Sequence, residues 1–184
     1  MLITQDLNDF VAHDPPLQEV YQGTFPKDWF IDHVFYDKSP IFPKAYIFNT
    51  DNSQSPGTHW ISVYRPEEGK VEFFDSYGRH PRHWGVDLMQ MLAYMGWQSQ
   101  QSQHRPLQCQ YSTLCGVYCL YMLHSRVRGW SFQHIIDSFH GPPLLNDTFL
   151  LHWYHRQATK HPKDLIVHPW TRMLHQMSKP YCPL

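Results

Sequence analysis

Apolar residues fall in short blocks separated by proline, glycine and polar turns, and the spacing within each block predicts its element. Residues 45–49 form a compact β-like run. Residues 60–64 and 71–74 are two more, with Pro66 and Gly69 between them, which predicts a β-hairpin. Residues 51–57, a cluster of Asn, Ser, Pro and Gly, read as a turn. From 84 to 95, apolar side chains recur at Trp84, Leu88, Leu92 and Met95, a helical stripe that Gly96 ends. Residues 114–124 are strongly apolar and follow Ser112 and Thr113, either of which suits a helix cap. Residues 130–140 and 146–155 read as two further helices, the second capped by Asn146 or Asp147. Residues 1–43 are polar and broken by five prolines, so short helical pieces or loop are expected there. The polar stretch 98–108 has room for one more strand. Irregular interleaving of strands and helices predicts one α+β domain over 1–184, a mixed central sheet with flanking helices.

Composition narrows the classes. With 42% hydrophobic and 17% charged residues in 184, the chain can bury a real core. A net charge of -1 excludes a uniformly basic, histone-like binder. No apolar run approaches a membrane span, and Gln5, Asp6 and Asp9 point away from a secretory signal. Four cysteines do not make a disulfide scaffold, so an intracellular, reducing compartment is the expectation. Charge is uneven: a Pro- and His-containing segment from about 156 carries Arg156, Lys160, Lys163, Arg172 and Lys179 against Asp164. That end suits either a solvated tail or a secondary contact with a polyanion.

Several chemistries lose their signatures. There is no Gly-rich phosphate loop, no G-x-S-x-G elbow and no H-E-x-x-H. Cys109, Cys115, Cys119 and His124 are the one conceivable zinc set, but no C-x-x-C knuckle supports it, so no metal is expected. Four other residues fall at predicted element ends. His59 opens one strand of the hairpin and Asp75 closes the next, so antiparallel pairing brings them to one end. Cys115 heads an apolar helix, where unpaired N–H groups favour a thiolate. Gln108 offers a side-chain amide to an oxyanion. Taken singly, each has a plainer reading: a buried thiol, a satisfied histidine, a turn aspartate, one glutamine among many. Together they supply nucleophile, base, orienting acid and oxyanion donor.

The strings 56–60 (Pro-Gly-Thr-His-Trp), 74–78 (Phe-Asp-Ser-Tyr-Gly) and 114–119 (Leu-Cys-Gly-Val-Tyr-Cys), with Gln108, resemble the adenovirus-type cysteine proteases. The versions in adintoviruses, adomaviruses and Maverick/Polinton elements look most similar, and the ubiquitin-like-protein (SUMO) proteases are more distant relatives. The resemblance extends from about residue 25 to 155. It implies the fold of that group, with helices on both sides of the sheet, and assigns catalytic roles to His59, Asp75, Gln108 and Cys115. Adenovirus enzymes carry Glu where this chain has Asp75. Gln110 competes with Gln108, which is preferred because its offset from Cys115 matches the family.

The implied activity is hydrolysis of viral precursor or capsid proteins after small residues, often Gly, during virion maturation, by a monomer in the host nucleus and virion. Trp60, beside His59, is then either a wall of the substrate cleft or core. No cofactor is required for the chemistry, although adenovirus enzymes are stimulated by DNA and by a disulfide-linked viral peptide. Neither Cys109 nor Cys182 stands at the peptide-accepting position. A non-specific DNA contact rests on Arg156, Lys160, Lys163 and Arg172. The rival readings are a protease of cellular ubiquitin or SUMO conjugates and a non-enzymatic virion or DNA-binding protein.

Overall fold

The computed structural model describes residues 1–29, 39–98 and 104–160. Helices α1 (Thr4–Ala12) and α2 (Pro15–Gln18) lead into strand β1 (Tyr21–Pro26). Strands β2 (Lys44–Asn49), β3 (Trp60–Arg65) and β4 (Glu72–Phe74) follow, and then α3 (Val86–Tyr94). Helices α4 (Cys115–Arg126), α5 (Phe132–Asp137) and α6 (Pro143–Lys160) complete the described chain. The sheet order is β1-β2-β3-β4, with β1 parallel to β2 and the other pairs antiparallel. The expected hairpin is β3–β4, with Ser62 opposite Phe74 and Tyr64 opposite Glu72.

Strand side chains alternate between two cores. Ala45, Ile47, Trp60, Tyr64 and Phe74 share one with α1, α4, α5 and α6. Tyr46, Phe48, Ile61, Val63 and Phe73 share the other with Leu88, Met91 and Leu92 of α3. Helices therefore cover both faces, and β2 and β3 are buried along their whole length. This is why both read as continuous apolar runs instead of alternating ones.

Helix α4 is the central helix, with every residue from Cys115 to Leu123 buried. Its start is crowded: a Cβ on Gly116 would stand 3.1 Å from Leu7 Cδ2 and 3.3 Å from both Leu2 Cβ and Trp60 Cδ1. Its far end is tied down by charge. Buried Asp14 receives His124 Nδ1 at 2.6 Å and Arg128 Nη2 at 2.7 Å, and Arg126 Nε reaches Glu72 Oε2 at 2.6 Å. His124 is thus committed to Asp14, and Cys109 is disulfide-bonded, so the alternative zinc set does not assemble.

Several boundaries differ from the expectation. β1 lies in a segment expected to be loop or short helix, because Gly23 and Pro26 weaken its strand signature; its residues are mostly partly buried, at the sheet edge where proline is tolerated. Trp84 belongs to a 3-10 turn (Pro81–Trp84), not to α3, because Gly85 with φ 114° separates the two. Neither Ser112 nor Thr113 caps α4; Leu114 holds that position and makes no side-chain cap bond. Helix α6 starts at Pro143, which leaves Asn146 and Asp147 inside it and buried, not capping it. Residues 104–108 form no strand, and 99–103 lie outside the described residues. So do Lys163, Arg172, Lys179 and Cys182, while Arg156 and Lys160 are exposed on the last turns of α6.

Candidate active site

His59 is the residue before β3 and Asp75 the residue after β4, so the hairpin register delivers both side chains to one end of the sheet. His59 Nε2 lies 2.7 Å from Asp75 Oδ1. The Asp75 carboxylate, 0% exposed, also accepts the Tyr77 backbone N–H at Oδ1 (2.9 Å) and the Trp84 indole N–H at Oδ2 (3.0 Å). Three donors satisfy a buried anion that would otherwise be costly.

The imidazole is held by rings as well. Tyr77 stacks on it at 4.6 Å between centroids and Trp84 at 4.9 Å. The Arg79 guanidinium lies over both of these rings, 5.1 Å from Tyr77 and 5.2 Å from Trp84. The other ring nitrogen, Nδ1, is buried without a hydrogen-bond partner. Burial alone would depress the imidazole. The Asp75 hydrogen bond and the neighbouring Cys115 thiol outweigh it and carry His59 up to about 9. Cys115 stands at the first position of α4, 2% exposed, and its thiol acts on the ring as a hydrogen-bonding and charged neighbour. Cys119, one turn on, is fully enclosed, and burial pushes its thiol well up. Cys115 and Cys119 are the free thiols among the described residues.

Gln108 joins the group through the turn after β4. Gly78 takes φ +69°, and its N–H closes the turn on the Asp75 carbonyl at 2.8 Å. A Cβ there would lie 2.5 Å from the Arg105 carbonyl carbon, so the turn presses on the 105–108 segment. The N–H groups of Leu107 and Gln108 both donate to Ser76 O, at 2.9 and 3.0 Å. The Ser76 hydroxyl donates to Gln108 Oε1 at 2.6 Å, which fixes the amide's orientation. Its Nε2 donates to Ser112 O at 2.8 Å and approaches Ser112 Oγ at 3.3 Å. Gln108 is buried and Gln110 is exposed.

Trp60 does not join them. It is 4% exposed, its indole N–H donates to Leu2 O at 2.9 Å, and it packs among the residues behind Gly116. Of its two readings, core is the one the structure gives. The tryptophan at the histidine is Trp84, which the helical-stripe reading had assigned to packing. Its signal was chemical: a buried Asp75 needs donors, and the segment after it holds an indole between two glycines.

This arrangement puts an acid on one side of a buried imidazole, an unpartnered ring nitrogen and a thiol on the other, and ties an oriented amide to the residue next to the acid. It can move a proton from sulfur to nitrogen and leave a thiolate at a helix N-terminus.

No family model matches the chain. Among curated proteins it is 28% identical over 109 residues to "Cysteine protease S273R" of African swine fever virus. That alignment takes in 55% of this chain and 40% of the relative, so the chain spans well under half the length of the curated protein it matches. The relative is a viral cysteine protease, not an adenovirus one. Among solved structures the chain resembles the crystal structure of the selenomethionine ASFV pS273R protease, with a TM-score of 0.36 and 16% identity, covering 73% of this chain and 61% of that one.

Proposed function

We propose that the chain is a viral cysteine endopeptidase that hydrolyses peptide bonds through an acyl-enzyme. The observation that carries this reading is the division of labour on His59: Nε2 on Asp75, and Nδ1 buried without a partner beside Cys115. The likeness to a viral cysteine protease supports it independently.

His59, held up to about 9, carries the proton on Nδ1 beside Cys115, and the Cys115 thiolate attacks the scissile carbonyl carbon. The second Gln108 amide hydrogen and the Cys115 backbone N–H receive the oxyanion. The C–N bond then breaks and Nδ1 returns the proton to the leaving amine, which leaves a thioester. Water, deprotonated by the same nitrogen, opens the thioester and restores the thiol. Asp75 keeps Nε2 protonated throughout and balances the imidazolium. These side chains and one water complete the cycle without a cofactor. The substrates are viral precursor proteins cut after small residues, as the adenovirus-type resemblance implies. A non-specific DNA contact through the basic end beginning at Arg156 and Lys160 is an accessory to that role.

Incubation with a Gly-containing capsid-precursor peptide, and separately with ubiquitin and SUMO conjugates, tests this. Cleavage of the peptide that Cys115→Ala abolishes, with circular dichroism unchanged, supports the reading. Cleavage of the conjugates alone moves the protein to cellular deconjugation. Absence of any Cys115-dependent cleavage refutes it.

A further inference from the structure

The connection from Leu107 to Leu114, which separates Gln108 from Cys115, is anchored on α6. Asn146 Nδ2 donates to Leu107 O at 3.0 Å. The Tyr118 hydroxyl, on the first turn of α4, lies 2.9 Å from Leu107 O and 2.8 Å from Asp147 Oδ1. The Ser112 side chain and the Cys109 backbone N–H also act on the Asp147 carboxyl as donors. Ser112 in turn accepts Gln108 Nε2 at its carbonyl, and Leu114 N–H at its hydroxyl (3.3 Å). Asp147 is thus the point on α6 to which both ends of the Gln108 environment lead.

A phenol has one hydrogen and cannot donate to Leu107 O and Asp147 at once. Its hydrogen serves one of these two acceptors at a time, while the Ser112 side chain and the Cys109 N–H stay on the Asp147 carboxyl. Burial pushes the carboxyl up to about 7, although Tyr118, Ser112 and Cys109 pull it down, so the neutral form is present near neutral pH. At 2% exposure, an apolar side chain would fill this space without desolvating a carboxyl. What Asp147 adds is its set of bonds to the connection.

We propose that Asp147 is a positioning residue: through Tyr118 and Ser112 it locks the Leu107–Leu114 connection onto α6 and sets the direction of the Gln108 amide. The inference rests on the peptidase reading and deepens it. An oxyanion donor acts in the transition state of acyl transfer. It does not act in alkylation of a thiol by iodoacetamide, which displaces iodide and forms no oxyanion.

Both reactions are measured on the full chain: turnover of a fluorogenic Gly-Gly coumarin amide, and the rate of carbamidomethylation at Cys115 followed by mass spectrometry. Asp147→Ala is expected to lower kcat about tenfold or more with KM within about threefold, and to leave the alkylation rate within about threefold. Asp147→Asn keeps an acceptor and gains a donor to Tyr118, and is expected to restore kcat to within about threefold of wild type. Ser112→Ala removes one hydroxyl without a large cavity and is expected to show the same split, which covers the case where Asp147→Ala does not fold. The inference is overturned if both Ala variants keep wild-type kcat, if alkylation slows in step with kcat, or if Asn behaves as Ala does. A wild-type protein that neither turns over the amide nor alkylates at Cys115 refutes the peptidase reading itself, before any variant is compared.

Discussion

The Ser76 hydroxyl donates to the Gln108 side-chain carbonyl at 2.6 Å, so the residue next to Asp75 orients the amide while Asp75 orients the imidazole. Two adjacent positions of one turn therefore aim two parts of the candidate site. Ser76→Ala frees Gln108 Oε1, and the amide gains the alternative of rotating its oxygen toward the nucleophile. Peptide turnover is expected to fall about tenfold in kcat with little change in KM, a few-fold less than loss of the amide itself. Steady-state kinetics on Ser76→Ala and Gln108→Ala check the ranking; an inert Ser76→Ala detaches the turn from the oxyanion site.

His59 is expected to titrate near 9 in the folded protein, followed by NMR of its ring protons. Asp75→Asn and Cys115→Ala each remove a partner that raises it, and each is expected to lower that value. The sign of the stability effect follows. A histidine whose folded value exceeds its unfolded one, about 6.5, binds more protons when folded. Its contribution is complete below about pH 6.5 and is lost as pH rises through 9. Tm should therefore decline across that window in wild type and decline less in Asp75→Asn. A flat wild-type profile contradicts the pairing.

Cys119 differs from Cys115 only by one helical turn, yet it is sealed in the core with its thiol pushed up by burial. Iodoacetamide should label Cys115 and spare Cys119 in the folded protein. Cys119→Ala is expected to keep peptidase activity and to cost about 1 kcal/mol of stability from the small cavity. Labelling at Cys119, or loss of activity in its Ala variant alone, would reassign the nucleophile.

Gly116→Ala tests the packing behind the nucleophile. Its Cβ would come within 3.1–3.3 Å of Leu7, Leu2 and Trp60, closer than a relaxed contact. Destabilisation of about 1–3 kcal/mol is expected, measured by urea denaturation, despite alanine's better helix propensity. A stabilised variant would mean that α1 yields freely.

Much of this was legible in the residues because element ends and chemistry coincide. His59 and Asp75 flank two short apolar runs joined by a turn, and antiparallel pairing left one way to bring them together. Cys115 heads a strongly apolar run, so its N-terminal placement followed directly. What sequence could not give was partnership across long separations. Asn146 and Asp147 read as caps because polar residues before an apolar run usually are; here they are buried ligands of a loop some forty residues away, and Pro143 starts the helix instead. Sequence offers Trp60 a place in the cleft and Trp84 a place in a helical stripe; tertiary contact with Leu2 puts Trp60 in the core, and Trp84 stands against His59. β1 pairs in parallel through a long connection, a non-local choice that Gly23 and Pro26 hide.

The docking of α1 behind α4 has a consequence for biosynthesis. Leu2, Leu7, Phe10 and Val11 leave the ribosome about a hundred residues before the helix that buries them, Cys115–Arg126. During that interval the nascent chain carries an apolar surface with no native partner, and the sheet cannot close its helical side until α4 arrives. Such late, long-range closure slows folding and exposes the growing chain to misassociation. The floor beneath Gly116, built from Leu2, Leu7 and Trp60, is therefore made well before the helix that settles on it.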